Sequence, residues 1–150
     1  INVSDGGVPK RPVREAMVSE RGVEGDRQRN LKVHGGQDRA LCLFSQDLIE
    51  RLQDEGHLIE AGFSGENLTL AGLEWEKLKP GDRLRIGPDV QVEIMSYTAP
   101  CDLNARWFRD GDYRRISQKK NRGWSRVYAK VLREGLVTPG DAVEILKKSR

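Results

Sequence analysis

Apolar positions along the chain come in short clusters with two different rhythms, and turn residues separate them. Ala40-Leu41-Cys42-Leu43-Phe44 is an unbroken apolar run, which predicts a strand buried on both faces. Ser45 then stands where a helix cap belongs, and Leu48, Ile49 and Leu52 come after it at helical spacing, predicting a helix from about Gln46 to Glu55. Elsewhere the period is two. Pro12 to Val18 reads as a first strand, Asn67 to Leu70 as a short one, and Tyr128 to Leu132 as another. Pro80-Gly81-Asp82 turns the chain into Arg83-Leu84-Arg85-Ile86, and Val90 to Met95 alternates as its hairpin partner. Pro139-Gly140-Asp141 repeats that turn, with Val143 and Ile145 at the offsets of Leu84 and Ile86.

About seven short strands with little helix predict a mainly β protein with a few short helices, closed or nearly closed into a β-barrel. No alternation of strand, helix and strand is evident, and no glycine-rich phosphate loop comes after a strand, which sets nucleotide-binding folds aside. The connection from residue 21 to 39 is long and glycine-punctuated, a length that usually carries function. Residues 102 to 122 read as irregular or weakly helical, with a break at Asp110-Gly111-Asp112.

Composition narrows the class. A chain of 150 residues with 37% hydrophobic and 33% charged positions fits one globular domain, residues 1–150. No apolar run reaches the roughly 20 residues a membrane span needs, so the expectation is a cytoplasmic protein with no membrane contact. Two cysteines are too few for a disulfide scaffold, and His34 and His57 are at no zinc-finger spacing from them. The net charge is +3, but residues 106 to 130 hold nine Lys/Arg against Asp110 and Asp112, so the rest of the chain is net negative. That stretch suits an anionic ligand or a solvated face. With Trp107, Tyr113 and Trp124 it also defines a second class of function, a non-enzymatic barrel that binds nucleic acid or a protein partner.

Cys101 is the candidate for chemistry. It leaves a strand in Thr98-Ala99-Pro100-Cys101-Asp102-Leu103, just before a helical segment that Asp102 would cap. Helix-start amides and the downstream Arg106 and Arg109 would favour its thiolate. Cys42, inside its apolar run, reads as core. His34 before Gly35-Gly36 could meet a ligand or bond a loop carbonyl, and Lys10, Arg27 and Arg39 sit in or beside glycine-rich loops that could converge at one barrel rim.

These pieces, in order, resemble the MOSC family: GGVPK, GVEGDRQ, HGGQDRAL, FSGENLTLAGL, PGDRLRIG, APC and GWSRVYAKVLREGLVTPGD. The resemblance covers nearly the whole chain. It implies a barrel of the pyruvate-kinase barrel-domain type and binding of the molybdenum cofactor, a pterin, with pyridoxal phosphate as an association of the sulfurases only. It further implies that Cys101 is either a molybdenum ligand, in reduction of N-hydroxylated compounds, or a persulfide carrier in sulfur delivery. By position, Lys10, Arg27, Arg39 and Asn67 would line the cofactor pocket, cations toward the phosphate and Asn67 toward pterin edges, with His34 in contact or structural. Some family members carry a preceding β-rich domain or a subsequent helical or electron-transfer extension. Neither is found in these residues, so the expectation is a more open pocket served by a separate electron donor or cysteine desulfurase.

Overall fold

The computed structural model describes residues 1–27 and 36–146. Its described strands are β1 (Asn2–Val3), β2 (Arg11–Pro12), β3 (Ala16–Ser19), β4 (Gly22–Val23), β5 (Leu41–Ser45), β6 (Leu68–Leu70), β7 (Arg83–Ile86), β8 (Val90–Tyr97), β9 (Val127–Arg133), β10 (Gly135–Val137) and β11 (Val143–Leu146). One α-helix is described, α1 (Gln46–Asp54), with 3-10 turns at Gln37–Arg39, Trp75–Lys77, Asp102–Trp107 and Tyr113–Ile116.

The main sheet has six strands in the order β11-β7-β8-β9-β5-β6, beside a three-stranded sheet, β10-β3-β4, and the pair β1-β2. It curls but does not close, which corrects the expected barrel. Two features keep it open. The early strands β3 and β4 pair with β10 instead of joining the large sheet, and β6 ends that sheet on one side while β11 ends it on the other. The curl has a visible source in register shifts between β8 and β9, at Gln91/Val92 and at Ile94/Ser96, since an extra residue bends and twists its strand.

A second correction concerns connectivity. β5 and β6 pair in parallel, Leu43 opposite Leu68, with α1 between them, so one strand-helix-strand crossover is present after all. A parallel pair cannot be joined by a tight turn, and the capped helix supplies the return. Ser45 Oγ accepts from the Leu48 amide at 3.1 Å, and Leu48, Ile49 and Leu52 are buried, as their spacing predicts. Because β5 lies between β9 and β6 under this helix, all five of its residues are buried. Phe44 meets Trp75 edge-on at 6.4 Å between ring centroids within the same core.

The two Pro-Gly-Asp turns build one unit. In each, the aspartate carboxylate accepts the amide three residues back, Lys79 to Asp82 at 3.0 Å and Thr138 to Asp141 at 2.9 Å. The strands they launch then pair with each other antiparallel, Ile145 opposite Leu84 and Val143 opposite Ile86. β8 continues past the predicted Met95 to Tyr97, which delivers the chain to the Thr98–Cys101 segment.

Candidate functional site

Where β5 and β9 lie side by side, loops from three parts of the chain enclose a cleft of about 560 Å³. Its floor comes from paired strands, Cys42 opposite Tyr128. Its walls come from the Gly7–Lys10 and Asp26–Arg27 segments, the Ser64–Asn67 loop, and the 3-10 turn after Cys101. The Gly62 region seats the first wall. The Lys10 amide donates to the Gly62 carbonyl at 2.9 Å, Gly62 has φ 86°, and a Cβ there would come within 2.5 Å of the Lys10 carbonyl. A glycine is therefore needed both for the backbone angle and for the approach. Behind it, the fully buried Glu66 accepts from the Gly62 amide, Ser64 Oγ and Thr69 Oγ1 at 3.0, 2.8 and 3.1 Å. Burial pushes its carboxyl above the usual range, against the pull of those bonds.

Four of the six residues singled out in the sequence meet here: Lys10, Arg27, Asn67 and Cys101 all line the cleft. Arg39 is not among the lining residues; its guanidinium is 5.2 Å from the ring centroid of Tyr128, which does line the cleft. His34 lies outside the described residues.

The roles of these residues differ in detail from the expectation. Lys10 Nζ is 2.6 Å from Asp26 Oδ1, and the two side chains keep only 9% and 5% of their exposure. Asp26 also accepts from the Ser4 amide at 2.9 Å and from Asn67 Nδ2 at 2.8 Å. Asn67 Oδ1 in turn accepts the Cys42 amide at 2.9 Å. This chain of bonds ties the Lys10 and Asp26 walls to β5. Asn67 thus engages its acceptor and one donor inside the protein, leaving one N–H of its amide for a ligand edge. Arg27 is exposed, 3.9 Å from Asp5, at the surface of the cleft.

Cys101 is half-buried, and its carbonyl accepts the Asn104 amide at 3.0 Å. It occupies the cap position that the sequence assigns to Asp102, and the six-residue 3-10 turn that it opens has no side-chain cap. Arg106 and Arg109 do not line the cleft. Arg106 donates to the Val8 carbonyl at 2.9 Å and lies over Trp107, while Arg109 packs beside Gly56.

Three residues that sequence reasoning did not assign to the site complete it. Arg126 is 4% exposed and lines the cleft, with Nη1 donating to the Ser64 carbonyl at 2.7 Å and Nη2 to the Ala99 carbonyl at 3.1 Å. Asp26 supplies the carboxylate described above. Tyr128 has its phenol pushed up to about 12, first by burial and then by Cys42, against the opposing pull of Arg126 and Arg39. Cys42 is core, as expected, but also reaches the cleft; burial raises its thiol, and its Sγ lies 3.8 Å from Thr98 Oγ1. A signal for Arg126 exists in the sequence, a cation directly before the apolar start of a strand.

Trp107, Tyr113 and Trp124 are partly buried against the core, and Arg106 and Arg115 lie over the two indoles. Among the described residues, no three His, Cys, Asp or Glu side chains group to hold a metal ion, and no helix is long and apolar enough to cross a membrane.

The chain is thus an open curled β module with a cation-lined cleft of small-molecule size and a half-buried thiol on its wall. Sequence comparison gives it a family: the MOSC domain profile matches residues 30–144, and the chain belongs to that family. YflK of Bacillus subtilis (strain 168) is 34% identical over 145 residues, covering 95% of this chain and 64% of YflK. A protein named Reductase from Gibberella moniliformis (strain M3125 / FGSC 7600) is 29% identical over 137 residues, covering 88% of this chain and 24% of that protein. The crystal structure of YiiM from Geobacillus stearothermophilus superposes with a TM-score of 0.72 at 28% identity, over 94% of this chain and 65% of that one. The chain thus spans just under two thirds of YflK and of this YiiM.

A molybdenum cofactor, the ligand associated with this family, needs a place for an anionic phosphate, polar groups for a pterin and a soft donor near its metal. The cleft residues fit that description. Arg126 has a buried Nε with no hydrogen-bond partner, so the wall holds an unsatisfied cationic donor. Cys101 offers sulfur on the same wall system, and the volume lies within the roughly 300–1,000 Å³ typical of small-molecule sites.

Proposed function

We propose that this chain is a molybdenum-cofactor-binding MOSC protein that uses Cys101 as its ligand to the metal, in reduction of N-hydroxylated compounds. The observation that supports this is convergence. Residues from positions 10, 27, 67 and 101, far apart in the chain, line one cleft, together with Arg126. When bound, the cofactor supplies two-electron redox chemistry at a soft metal centre.

The chain's own groups do the rest. Cys101 presents a soft donor at a half-buried position that a ligand can reach. Tyr128, with its proton held to about pH 12, faces the ligand as a neutral phenol across the working range. The Lys10–Asp26–Asn67 chain of bonds ties the wall segments to β5. The relative named Reductase, of which this chain matches about a quarter, supports a reductive reaction.

Reconstitution tests the reading. The purified chain, incubated with molybdenum cofactor and desalted, should retain metal and pterin together and reduce an N-hydroxylated amidine when given a chemical electron donor. Cys101→Ser should lose turnover. Sulfur delivery is the competing use of the same thiol, and a mass gain of one sulfur on Cys101 after incubation with a cysteine desulfurase would favour it. If Cys101→Ser leaves cofactor retention, reduction and sulfur transfer unchanged, neither use stands.

A further inference from the structure

Both cysteines of the chain reach the same cleft. Cys42 lies on its floor in β5 and Cys101 on its wall, although they are far apart in sequence. The floor thiol touches the segment that leads to the wall thiol: Cys42 Sγ is 3.8 Å from Thr98 Oγ1, and Cys101 comes three residues later. Thr98 is fixed in place. Its amide donates to the Arg126 carbonyl at 2.9 Å, and its carbonyl accepts from Ser125 Oγ at 3.0 Å. Three residues span at most about 10 Å, so the Cys101 backbone is tethered within that distance of a residue in contact with the other sulfur. Tyr128 stands directly opposite Cys42 in the β5–β9 register, and both thiols bear on its phenol, so both sulfurs are close to one ring.

The tether is lightly held. Residues 99–101 belong to no strand or helix, and Pro100 has no amide hydrogen to donate. The restraints on this stretch are two carbonyl bonds, from Arg126 Nη2 to Ala99 at 3.1 Å and from the Asn104 amide to Cys101 at 3.0 Å, and neither holds the sulfur. The Cys101 sulfur itself has only a long contact of 4.0 Å to Asp102 Oδ1. Both thiols are free, and joining them asks the Cys101 segment to swing toward β5, which is held on both sides by β9 and β6.

We propose that Cys101 and Cys42 form a reversible, peroxide-driven disulfide across the cleft. Cys101, half-buried, is the sulfur that a peroxide reaches, and Cys42, 8% exposed, is the thiol that resolves the product. First the Cys101 sulfur attacks one oxygen of hydrogen peroxide: an S–O bond forms, the O–O bond breaks, and the departing hydroxide takes the thiol proton and leaves as water. The Cys42 sulfur then attacks the sulfenic sulfur: an S–S bond forms, the S–O bond breaks, and the hydroxide leaves with the Cys42 proton as a second water. The two sulfurs together lose two electrons, and one peroxide becomes two waters. Without a second thiol the sulfenic acid continues to sulfinic acid, which a dithiol does not reverse, so Cys42 turns a damaging oxidation into a recoverable one. The pairing stands on the cleft geometry. Its consequence, that the closed form cannot hold a metal through Cys101, rests on the function proposed above.

The test treats the dilute chain, without cofactor, with hydrogen peroxide from equimolar upward, alkylates it in denaturant with N-ethylmaleimide, and follows intact mass and the peptide map. The monomer should lose the mass of two hydrogens and take up no alkyl group, a cross-linked peptide should join Cys42 to Cys101, and dithiothreitol should restore both thiols. Cys42→Ala should instead gain two oxygens on Cys101, and dithiothreitol should not remove them. Cys101→Ser should keep an alkylatable Cys42 at the same doses.

If Cys42→Ala does not fold, the peptide map of the parent chain decides. A parent chain that reaches the sulfinic acid with Cys42 still alkylatable, that cross-links only between molecules, or that keeps both thiols at every dose overturns the pairing. Cofactor retention in a chain that forms no disulfide would leave the proposed function standing and remove this pairing; a disulfide in a chain that retains no cofactor would do the reverse.

Discussion

Arg83 and Glu93 face each other across β7 and β8 at 3.1 Å with side chains 48% and 20% exposed, whereas Lys10 and Asp26 meet at 2.6 Å with almost none of theirs left. The sheet side of the molecule carries its charges in pairs at the surface, Arg85 with Glu144 being another. Water screens such pairs and holds each partner nearly as well as the other does, so their net contribution is small. Apart from the exposed Arg27, the cleft side carries its charges out of water, where each one must be matched by the protein or by something it binds. The same residue types therefore add little to stability in one region and are decisive in the other, and Arg126 is unusual because the protein itself supplies no match.

The largest effect should come from breaking the matched pair in the cleft. Asp26→Ala removes the acceptor of Lys10 Nζ, Asn67 Nδ2 and the Ser4 amide at once. Leaving a buried ammonium without its partner should cost about 3–5 kcal/mol, measured by urea unfolding. A loss of stability below about 1 kcal/mol would mean the pair behaves like the surface pairs of the sheet.

A smaller effect separates the regions by pH. Burial raises the folded-state carboxyl of Glu66 above its ordinary value of 4.5, so the folded chain binds the proton more tightly than the unfolded one. The contribution of this group is fully present below 4.5 and is lost as pH rises through the raised folded value. Glu55 runs in the opposite sense. Its hydrogen bond from Arg115 lowers it, so its contribution is present above 4.5 and lost in acid, and solvent exposure makes it small. Glu66→Gln can keep the Gly62 amide on its carbonyl oxygen and turn its amide toward the Ser64 hydroxyl. The variant should hold a flatter unfolding midpoint than the parent between about pH 4 and pH 8. Equal slopes in the two proteins would remove Glu66 as the source.

These contrasts also mark what was legible in the residues alone. The run Leu41–Phe44, the Ser45 cap and the matching Pro-Gly-Asp turns are local signals, and each formed where its pattern places it. The open sheet was not legible, because whether β6 pairs beside β5 or opposite β11 depends on contacts between distant segments that no periodicity records. In the cleft, the order of motifs points to Lys10, Arg27, Asn67 and Cys101, and the structure gathers all four. Arg126 stands in the sequence as one cation of a basic stretch, marked only by its place directly before the apolar start of a strand. Its difference from the exposed Lys119 and Arg122 lies in burial, a property of the folded surroundings and not of the side chain.

The smallest expected effect lies on the sheet and sharpens the comparison from its other end. Arg83 and Glu93 are direct cross-strand partners in the register of β7 and β8, so a double-mutant cycle to alanine isolates their interaction. The coupling should be about 0.2–1 kcal/mol at low ionic strength and should shrink when salt is raised to about 1 M, where screening acts within about 3 Å. Salt should leave the Lys10–Asp26 coupling largely intact, since ions cannot enter between side chains that are 9% and 5% exposed. If both couplings fall by the same fraction in salt, the cleft wall is as open to solvent as the sheet.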